Sequence, residues 1–244
     1  MSSDTWQTGK AAIEAILFDK DGTLLDFDAA WGPVYRQAAS IAARGVSSDT
    51  ERFLLASGLD PATGKPAAGS LLAAGNTEEI AQAWIADGAR YALEELTADL
   101  DRLFIDRMHD VDPLPGIREA VEALLARGLR LGVASSDSEA AIRAFLAGTG
   151  LAPKFAFVTG YDTGHGPKPE PGMVHGFAEA IGLPPSGIAV IGDNMHDIDM
   201  ARAAGAGLTV GVLTGTSLRK DLEPHADVVL ESAADLPALL FDPE

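Results

Sequence analysis

The chain contains no cysteine and few basic residues, and both shortages narrow what it can be. Without cysteine it has no disulfides, no thiolate nucleophile and no thiolate-ligated zinc. The 18 lysines and arginines stand against 36 aspartates and glutamates, and the resulting net charge of −18 argues against a nucleic-acid-binding surface. An anionic substrate would therefore need a pocket that is locally positive.

Long apolar runs are also lacking. No run of about 18 apolar residues suggests a membrane span, and the polar residues 1–10 lack the apolar segment of a signal peptide. Hydrophobic residues still make up 47% of the 244 residues, which is enough to bury a substantial core. The composition predicts a globular, cytoplasmic protein without nucleic-acid or membrane partners, and it leaves open whether the protein is a monomer or a homodimer.

Short apolar runs alternate with helical patterns along most of the chain. Strands are predicted at residues 13–18, 129–134, 155–158, 188–191, 208–212 and 228–230. Helices are predicted at residues 116–127, 138–147, 171–181 and 197–204, with stops at Gly128, Gly182 and Gly205. This alternation is typical of an α/β fold with a doubly wound, Rossmann-like parallel sheet, in which ligands bind beyond the carboxyl ends of the strands.

One long segment interrupts the alternation. No convincing strand occurs between Phe27 and about Asp110, and Pro113 and Pro115 favour a boundary just after it. Helical patterns cover residues 29–44, 50–57, 77–96 and 98–109, around a Gly-, Pro- and Ala-rich loop at residues 58–76. The sequence therefore predicts a small α-helical domain at residues 27–110, inserted into a discontinuous core of residues 1–26 and 111–244.

Two aspartates stand two residues apart directly after the first apolar run. Asp19 and Asp21 follow residues 13–18. Because side chains alternate along a strand, both carboxylates are expected on one side of its exit, with Lys20 on the other. Convergent carboxylates repel each other unless a cation or a shared proton relieves them. The pair therefore indicates a metal site or a division of acid and base roles.

A second acidic cluster follows another apolar run. Asp193 comes at the exit of the predicted strand at residues 188–191 and Asp197 lies one turn onward, so both can face the crevice of the first pair. Oxygen-only donors suit a hard cation, and magnesium is usually held by few protein ligands plus a substrate phosphate. Asp199 fits better as an ordinary acid in a first helical turn.

Two further polar residues lie between these clusters. Lys168 stands between prolines, and the stiff backbone suits a cation that meets a phosphate or braces an aspartate. Ser135 ends the predicted strand at residues 129–134 and can donate to a phosphate oxygen, although a serine before a helix is more often a cap. Each of these two signals is weak alone, but the order of all four motifs along the chain is more specific.

That order is an Asp pair, a strand-end Ser, a Lys-Pro turn and a Gly-Asp-x-x-x-Asp turn. It resembles the haloacid dehalogenase (HAD) superfamily of hydrolases. The resemblance covers the whole chain, since the helical insertion resembles the cap domain of that family. The position of the cap and the Lys-Pro-x-Pro turn are most similar to the phosphoglycolate-phosphatase-like members.

The resemblance implies a role for each motif residue. Asp19 would be the nucleophile that forms an aspartyl-phosphate, and Asp21 would protonate the leaving oxygen and then take a proton from water. Magnesium would be bound by Asp19, Asp193 and the backbone carbonyl of Asp21. Ser135 and Lys168 would bind the oxygens of the transferring phosphoryl group.

Other motif residues would support these. Asp197 would orient Lys168 or a water on the metal. The remaining supporting residues would be Asn194, Gly22, Thr23 and Ser136. Lys20 departs from the apolar residue that the family usually has between the two aspartates, and because it should point away from the metal we expect it to form a salt bridge.

The activity implied is a magnesium-dependent phosphatase acting on a small phosphate monoester such as 2-phosphoglycolate. A sugar-phosphate mutase on the same scaffold remains open, as does a binding protein that has lost activity. A dehalogenase is disfavoured because it needs neither magnesium nor the second aspartate. The histidines have no partner at ligand spacing, so no zinc site is predicted.

Substrate specificity is expected in the cap, which would close over the leaving group. Trp31, Tyr35 and Arg36 lie on its first predicted helix, and Lys65 lies in its loop. Core packing is the more common role for aromatic residues at helical spacing, and solvated surface is the more common place for the two charges.

Overall fold

A computed structural model of the protein describes residues 12–241, so the polar segment at residues 1–10 lies outside the described residues. Six parallel strands form one sheet in the order β3-β2-β1-β4-β5-β6. They are β1 (Ala15–Phe18), β2 (Arg130–Ala134), β3 (Phe157–Thr159), β4 (Ile188–Gly192), β5 (Leu208–Val212) and β6 (Val228–Leu230). The predicted doubly wound α/β fold is confirmed.

The central strand β1 is buried on both faces, as its unbroken apolar sequence predicts. Ile16 and Phe18 pack into one hydrophobic cluster, whereas Ala15 and Leu17 pack into a second cluster on the other face of the sheet. The strand order reverses between β1 and β4, which is where a doubly wound sheet opens a crevice at its carboxyl edge.

Helices cover both faces and fill the insertion. The insertion contains α1 (Phe27–Ala42), α2 (Ser47–Ala56), α3 (Leu71–Ala74), α4 (Thr77–Ala86) and α5 (Leu93–Met108). The sheet carries α6 (Ile117–Ala126), α7 (Glu139–Gly148), α8 (Gly172–Ile181), α9 (Met195–Ala204), α10 (Arg219–Leu222) and α11 (Leu236–Phe241). None of the described helices is long and apolar enough to cross a membrane.

Three predictions inside the insertion differ from the structure. The single helix predicted at residues 77–96 is two helices, because the chain leaves the helical path at Gly88, whose φ is +107°. The second of these, α5, begins before residue 98 and absorbs the helix predicted at residues 98–109. The loop predicted at residues 58–76 also contains the short helix α3.

The insertion packs directly on the sheet domain. One hydrophobic cluster runs from Phe18 on β1 through Trp31 on α1 to Phe104 on α5, and α5 also lies against α7. A polar contact adds to it, since the hydroxyl of Tyr161 donates to Oδ2 of Asp101 on α5 at 3.0 Å. The division into two domains at residues 27–110 stays a prediction.

Candidate active site

The carboxyl ends of neighbouring strands bring the predicted site residues together. Asp19 follows β1, and its backbone N–H donates to the carbonyl of Ile191 on β4 at 2.8 Å. Asp193 directly follows β4, and Ser135 directly follows β2 on the other side of β1. Residues separated by more than a hundred positions thus meet at one edge of the sheet because the strands are parallel and in register.

A buried lysine bridges two of the aspartates. Nζ of Lys168 lies 2.6 Å from Oδ1 of Asp19 and 2.6 Å from Oδ1 of Asp197. Burial opposes protonation of Lys168, but the attraction of the two carboxylates outweighs it, so its pKa is raised. Lys168 is therefore held as a cation between Asp19 and Asp197, and the roles expected of these residues stay predictions.

Three carboxylates crowd this position. Ligand oxygens of Asp19, Asp193 and Asp197 all lie within 4.8 Å of one another, and all three residues are buried. Oδ2 of Asp19 is buried without a hydrogen-bond partner. One lysine does not balance this charge: burial raises the pKa of Asp19 well above its usual value, and it raises that of Asp193 to about 7.

This donor set fits a hard divalent cation. Its ligands are oxygens only, its charge exceeds that of its lysine, and an unpartnered carboxylate oxygen of Asp19 lies within it. Of the residues predicted to hold magnesium, Asp19 and Asp193 belong to the cluster. The carboxylate of Asp21 lies outside it, so only the backbone carbonyl of Asp21 remains its proposed ligand.

Glycines leave room for these carboxylates. A Cβ on Gly192 would lie 2.2 Å from Cγ of Asp197, and a Cβ on Gly215 would lie 2.0 Å from Oδ2 of Asp193. The loop after β5 also holds Asp193 directly, because the backbone N–H of Thr216 donates to Oδ2 of Asp193 at 2.7 Å. The sequence reasoning missed this loop, although it follows an apolar run in the same way as the other site turns.

Asp21 is held by three side chains. Its Oδ1 accepts from Nζ of Lys20 at 2.7 Å and from Nε1 of Trp31 at 2.6 Å. Its Oδ2 accepts from Oγ of Ser135 at 3.2 Å. Ser135, predicted as a phosphate ligand, is therefore bonded to Asp21 here, while its neighbour Ser136 lines the cavity in front of Asp19.

Lys20 forms the salt bridges expected of it, and it does so while completely buried. Its Nζ lies 2.7 Å from Asp21 and 3.1 Å from Oδ2 of Asp137. Burial opposes its charge, but the two carboxylates outweigh burial and raise its pKa. Asp137 was not singled out from the sequence; burial raises its pKa to about 6, against the attraction of Lys20.

The supporting residues shape the turns. The side chain of Asn194 caps α9 by accepting from the backbone N–H of His196 at 3.2 Å, and the backbone N–H of Asn194 donates to Oδ2 of Asp197 at 3.1 Å. Gly22 adopts a φ of +74°, in the left-handed region that favours glycine. Thr23 is fully buried beside it, and its Oγ1 lacks a hydrogen-bond partner.

A cavity of about 60 Å³ lies between the aspartates and the insertion. Its far side is formed mainly by apolar groups, including the rings of Trp31, Tyr35 and Phe104. The predicted Arg36 and Lys65 are not among the residues that line it. Both are exposed, and they form ion pairs with Glu51 and Asp28 respectively.

Comparison with known proteins agrees with this geometry. The family model of haloacid dehalogenase-like hydrolases matches residues 13–205. The chain belongs to this family. It is also 28% identical, over 244 aligned positions, to a phosphoglycolate phosphatase from Photorhabdus laumondii, and the match covers 92% of this chain and 91% of that protein. The protein is therefore a hydrolase.

Solved structures share the fold of this HAD-like hydrolase. A hydrolase from Pseudomonas syringae superposes with a TM-score of 0.71 at 23% identity, covering 94% of this chain and 98% of that one. CbbY from Rhodobacter sphaeroides, in a complex with phosphate, superposes with a TM-score of 0.69 at 20% identity, covering 92% and 96%. At these identities the likeness establishes the fold alone.

The crowding of three carboxylates predicts that removing one of them stabilises the magnesium-free protein. Without magnesium at pH 8, Asp193→Asn should raise the free energy of unfolding by about 2 to 4 kcal/mol, because each pKa unit corresponds to about 1.4 kcal/mol. The folded-state pKa of Asp193 is about 7 against an ordinary 3.8, so the cost of its charge grows between these two pH values. The gain should therefore vanish near pH 4. Urea unfolding at both pH values measures it.

The exposed Asp199, which lies on α9 shortly after Asp193, provides the control. Asp199→Asn should change the stability little at either pH. Magnesium should stabilise the wild type and the Asp199 variant, and it should stabilise the Asp193 variant much less. An Asp193 variant that is less stable than the wild type at pH 8 without magnesium would contradict the assigned charge crowding.

Proposed function

We propose that the protein is a magnesium-dependent phosphatase that hydrolyses a small phosphate monoester, similar to 2-phosphoglycolate, through an aspartyl-phosphate on Asp19. The observation that carries the proposal is the environment of Asp19: one carboxylate oxygen bonds to Lys168, and the other is buried and unpartnered among two further carboxylates. That environment suits a nucleophile that works beside a bound cation and a phosphate.

The first half-reaction transfers the phosphoryl group to the protein. A carboxylate oxygen of Asp19 forms a bond to phosphorus while the ester P–O bond breaks, and the leaving oxygen keeps the electron pair and takes the proton of the Asp21 carboxyl group. Lys168 stabilises the charge on the phosphoryl oxygens. Magnesium, held by Asp19, Asp193 and the backbone carbonyl of Asp21, would supply the positive charge that offsets repulsion between carboxylate and phosphate.

The second half-reaction restores the protein. The carboxylate of Asp21 accepts a proton from water as the water oxygen bonds to phosphorus, and the bond between phosphorus and Asp19 breaks. Asp19 leaves as a carboxylate, inorganic phosphate is released, and Asp21 is again protonated. The cycle therefore needs no reactant besides the ester and water.

The cavity supports a small substrate. A cavity of about 60 Å³ suits a phosphate with a small alcohol part. The hydroxyl of Tyr35 donates to the carbonyl of Leu72 at 2.6 Å and the indole of Trp31 donates to Asp21, so both aromatic residues present mainly their carbon surfaces. Esters of two- or three-carbon alcohols fit this space better than hexose phosphates do.

A substrate panel with a chemical trap tests the proposal. Phosphate release with magnesium should be faster from 2-phosphoglycolate than from glucose 6-phosphate, and it should match the ester consumed. Acid quenching during the first turnover of a ³²P-labelled ester should leave label that hydroxylamine removes, in the peptide that contains Asp19. A sugar-phosphate mutase would instead isomerise a sugar phosphate without releasing phosphate. Failure to turn over any ester would favour the catalytically silent binding protein.

A further inference from the structure

The mechanism above leaves one buried cation unused. Lys20 stands between the two catalytic aspartates, and its side chain has no solvent exposure. Burying an ammonium group costs several kcal/mol unless partners replace its hydration. Lys20 has two anionic partners, Asp21 and Asp137. These ion pairs offset the cost of burying the ammonium group and fix its position.

Asp137 anchors this lysine to the sheet domain. The backbone N–H of Ser138 donates to Oδ1 of Asp137 at 2.8 Å, which leaves Oδ2 of Asp137 to face Nζ of Lys20 at 3.1 Å. The backbone N–H of Asp137 also donates to Oγ of Ser135, the same hydroxyl that donates to Asp21. The turn after β2 therefore supplies both Ser135, which donates to Asp21, and Asp137, which holds Lys20 beside Asp21.

The insertion reaches the same group from two helices. Nζ of Lys20 lies 3.2 Å from Sδ of Met108 at the end of α5, and it lies 5.2 Å from the ring centroid of Trp31 on α1. Nε1 of Trp31 then donates to the oxygen of Asp21 that Lys20 also contacts. Oδ1 of Asp21 thus accepts one hydrogen bond from Lys20, which follows β1, and one from Trp31 in the insertion.

We propose that Lys20 and Trp31 are positioning residues that together aim the carboxyl group of Asp21 at the leaving oxygen. Lys20, fixed by Asp137, holds Oδ1 from the sheet domain, and Trp31 completes the arrangement from α1. Asp21 is then fully oriented only while α1 lies against the sheet. The inference rests on the proposed function, because Asp21 acts there as the acid and base.

Leaving-group dependence separates a loss of positioning from general damage. Proton donation matters for an alkyl leaving group and much less for p-nitrophenolate, which leaves readily without a proton. Lys20→Met and Trp31→Phe should each lower the rate of the phosphorylation step with 2-phosphoglycolate by about 10- to 100-fold, since small displacements of a catalytic group have effects of this size. The same step with p-nitrophenyl phosphate should fall by less than about threefold, and KM should change little for either ester.

Two matched control variants are available. Trp84 is also a buried tryptophan of the insertion, and its indole donates to Oγ of Ser57 away from the cavity. Lys154 is a surface lysine paired with Glu122. Trp84→Phe and Lys154→Met should leave the ratio of the two phosphorylation rates unchanged. Rapid-quench measurements of the first turnover give these rates free of the later hydrolysis step.

A double-mutant cycle asks whether Lys20 acts through Asp21. In an Asp21→Asn background, Lys20→Met should reduce the remaining rate with 2-phosphoglycolate by less than about threefold, because the group that it positions is already gone. If Lys20→Met does not fold, Trp31→Phe in the same background gives the equivalent comparison.

Specific results would overturn the inference. Equal losses with both esters, or full additivity in the cycle, would show that these residues act on the fold or on Asp19 rather than on Asp21. An inert wild type would instead refute the proposed function, and the two failures are therefore distinguishable.

Discussion

Asp19→Asn should lower kcat by at least about 10⁴-fold and abolish the labelled phosphoprotein, since losing a nucleophile removes the covalent route itself. An amide of the same shape keeps a hydrogen-bond acceptor for Lys168, so the fold should survive. The substitution also removes one of three crowded carboxylates, and the magnesium-free protein should not lose stability. Turnover of 2-phosphoglycolate and thermal unfolding measure the two effects.

Asp199→Asn is the matched control, because Asp199 is an exposed aspartate on α9 just beyond the motif. It should retain wild-type turnover. If Asp19→Asn kept even about one hundredth of the wild-type kcat, Asp19 would not be the nucleophile, because that residual rate is too high for a protein without its covalent step.

Lys168→Met has the second largest expected effect, and it acts on both activity and stability. Removing one partner from a buried ion pair typically costs about 3 to 5 kcal/mol, and here two carboxylates, Asp19 and Asp197, lose the same cation. The kcat should fall by about 10³-fold, because a preorganised charge at the phosphoryl oxygens is lost.

The pH dependence of the stability loss has a definite sign. Lys168 lowers the raised pKa of Asp19, so without it the folded-state pKa of Asp19 moves further upwards, and the folded protein binds a proton that the unfolded chain releases. The deficit should therefore be large at pH 8 and small near pH 5. Urea unfolding of magnesium-free protein at both pH values measures it. Lys65→Met, which removes an exposed lysine paired with Asp28, should change neither stability nor kcat appreciably. A loss of stability in Lys168→Met that grows at lower pH would contradict the role of Lys168 as the counter-ion of Asp19 and Asp197.

The edge of the sheet that carries the candidate site could be predicted because its signals are local. An apolar run that ends in an aspartate marks both the strand and the point where it meets the crevice, as at Asp19 and Asp193. Parallel pairing then places such ends side by side whatever their separation in sequence. The distant Lys168 was identified from the resemblance together with its prolines.

The contacts between the insertion and the sheet domain could not be predicted. Core packing is the more common role for a tryptophan at helical spacing, and only the position of α1 against the sheet shows that the indole of Trp31 also reaches Asp21. Asp137 lies beside Lys20 because of the turn after β2, which no periodicity reports. The break between α4 and α5 near Gly88 was not predicted either, because the apolar spacing typical of a helix continues on both sides of it.

Under the proposed function, the indole of Trp31 has a consequence for which esters the protein turns over. A bulky ester can place its phosphate beside Asp19 and Lys168, since those contacts belong to the sheet domain alone. If the rest of that ester holds α1 away, however, Asp21 loses a donor and its orientation. Such an ester would bind well and react slowly. Selection by size would then be expressed in turnover rather than in affinity, and bulky esters would act as competitive inhibitors.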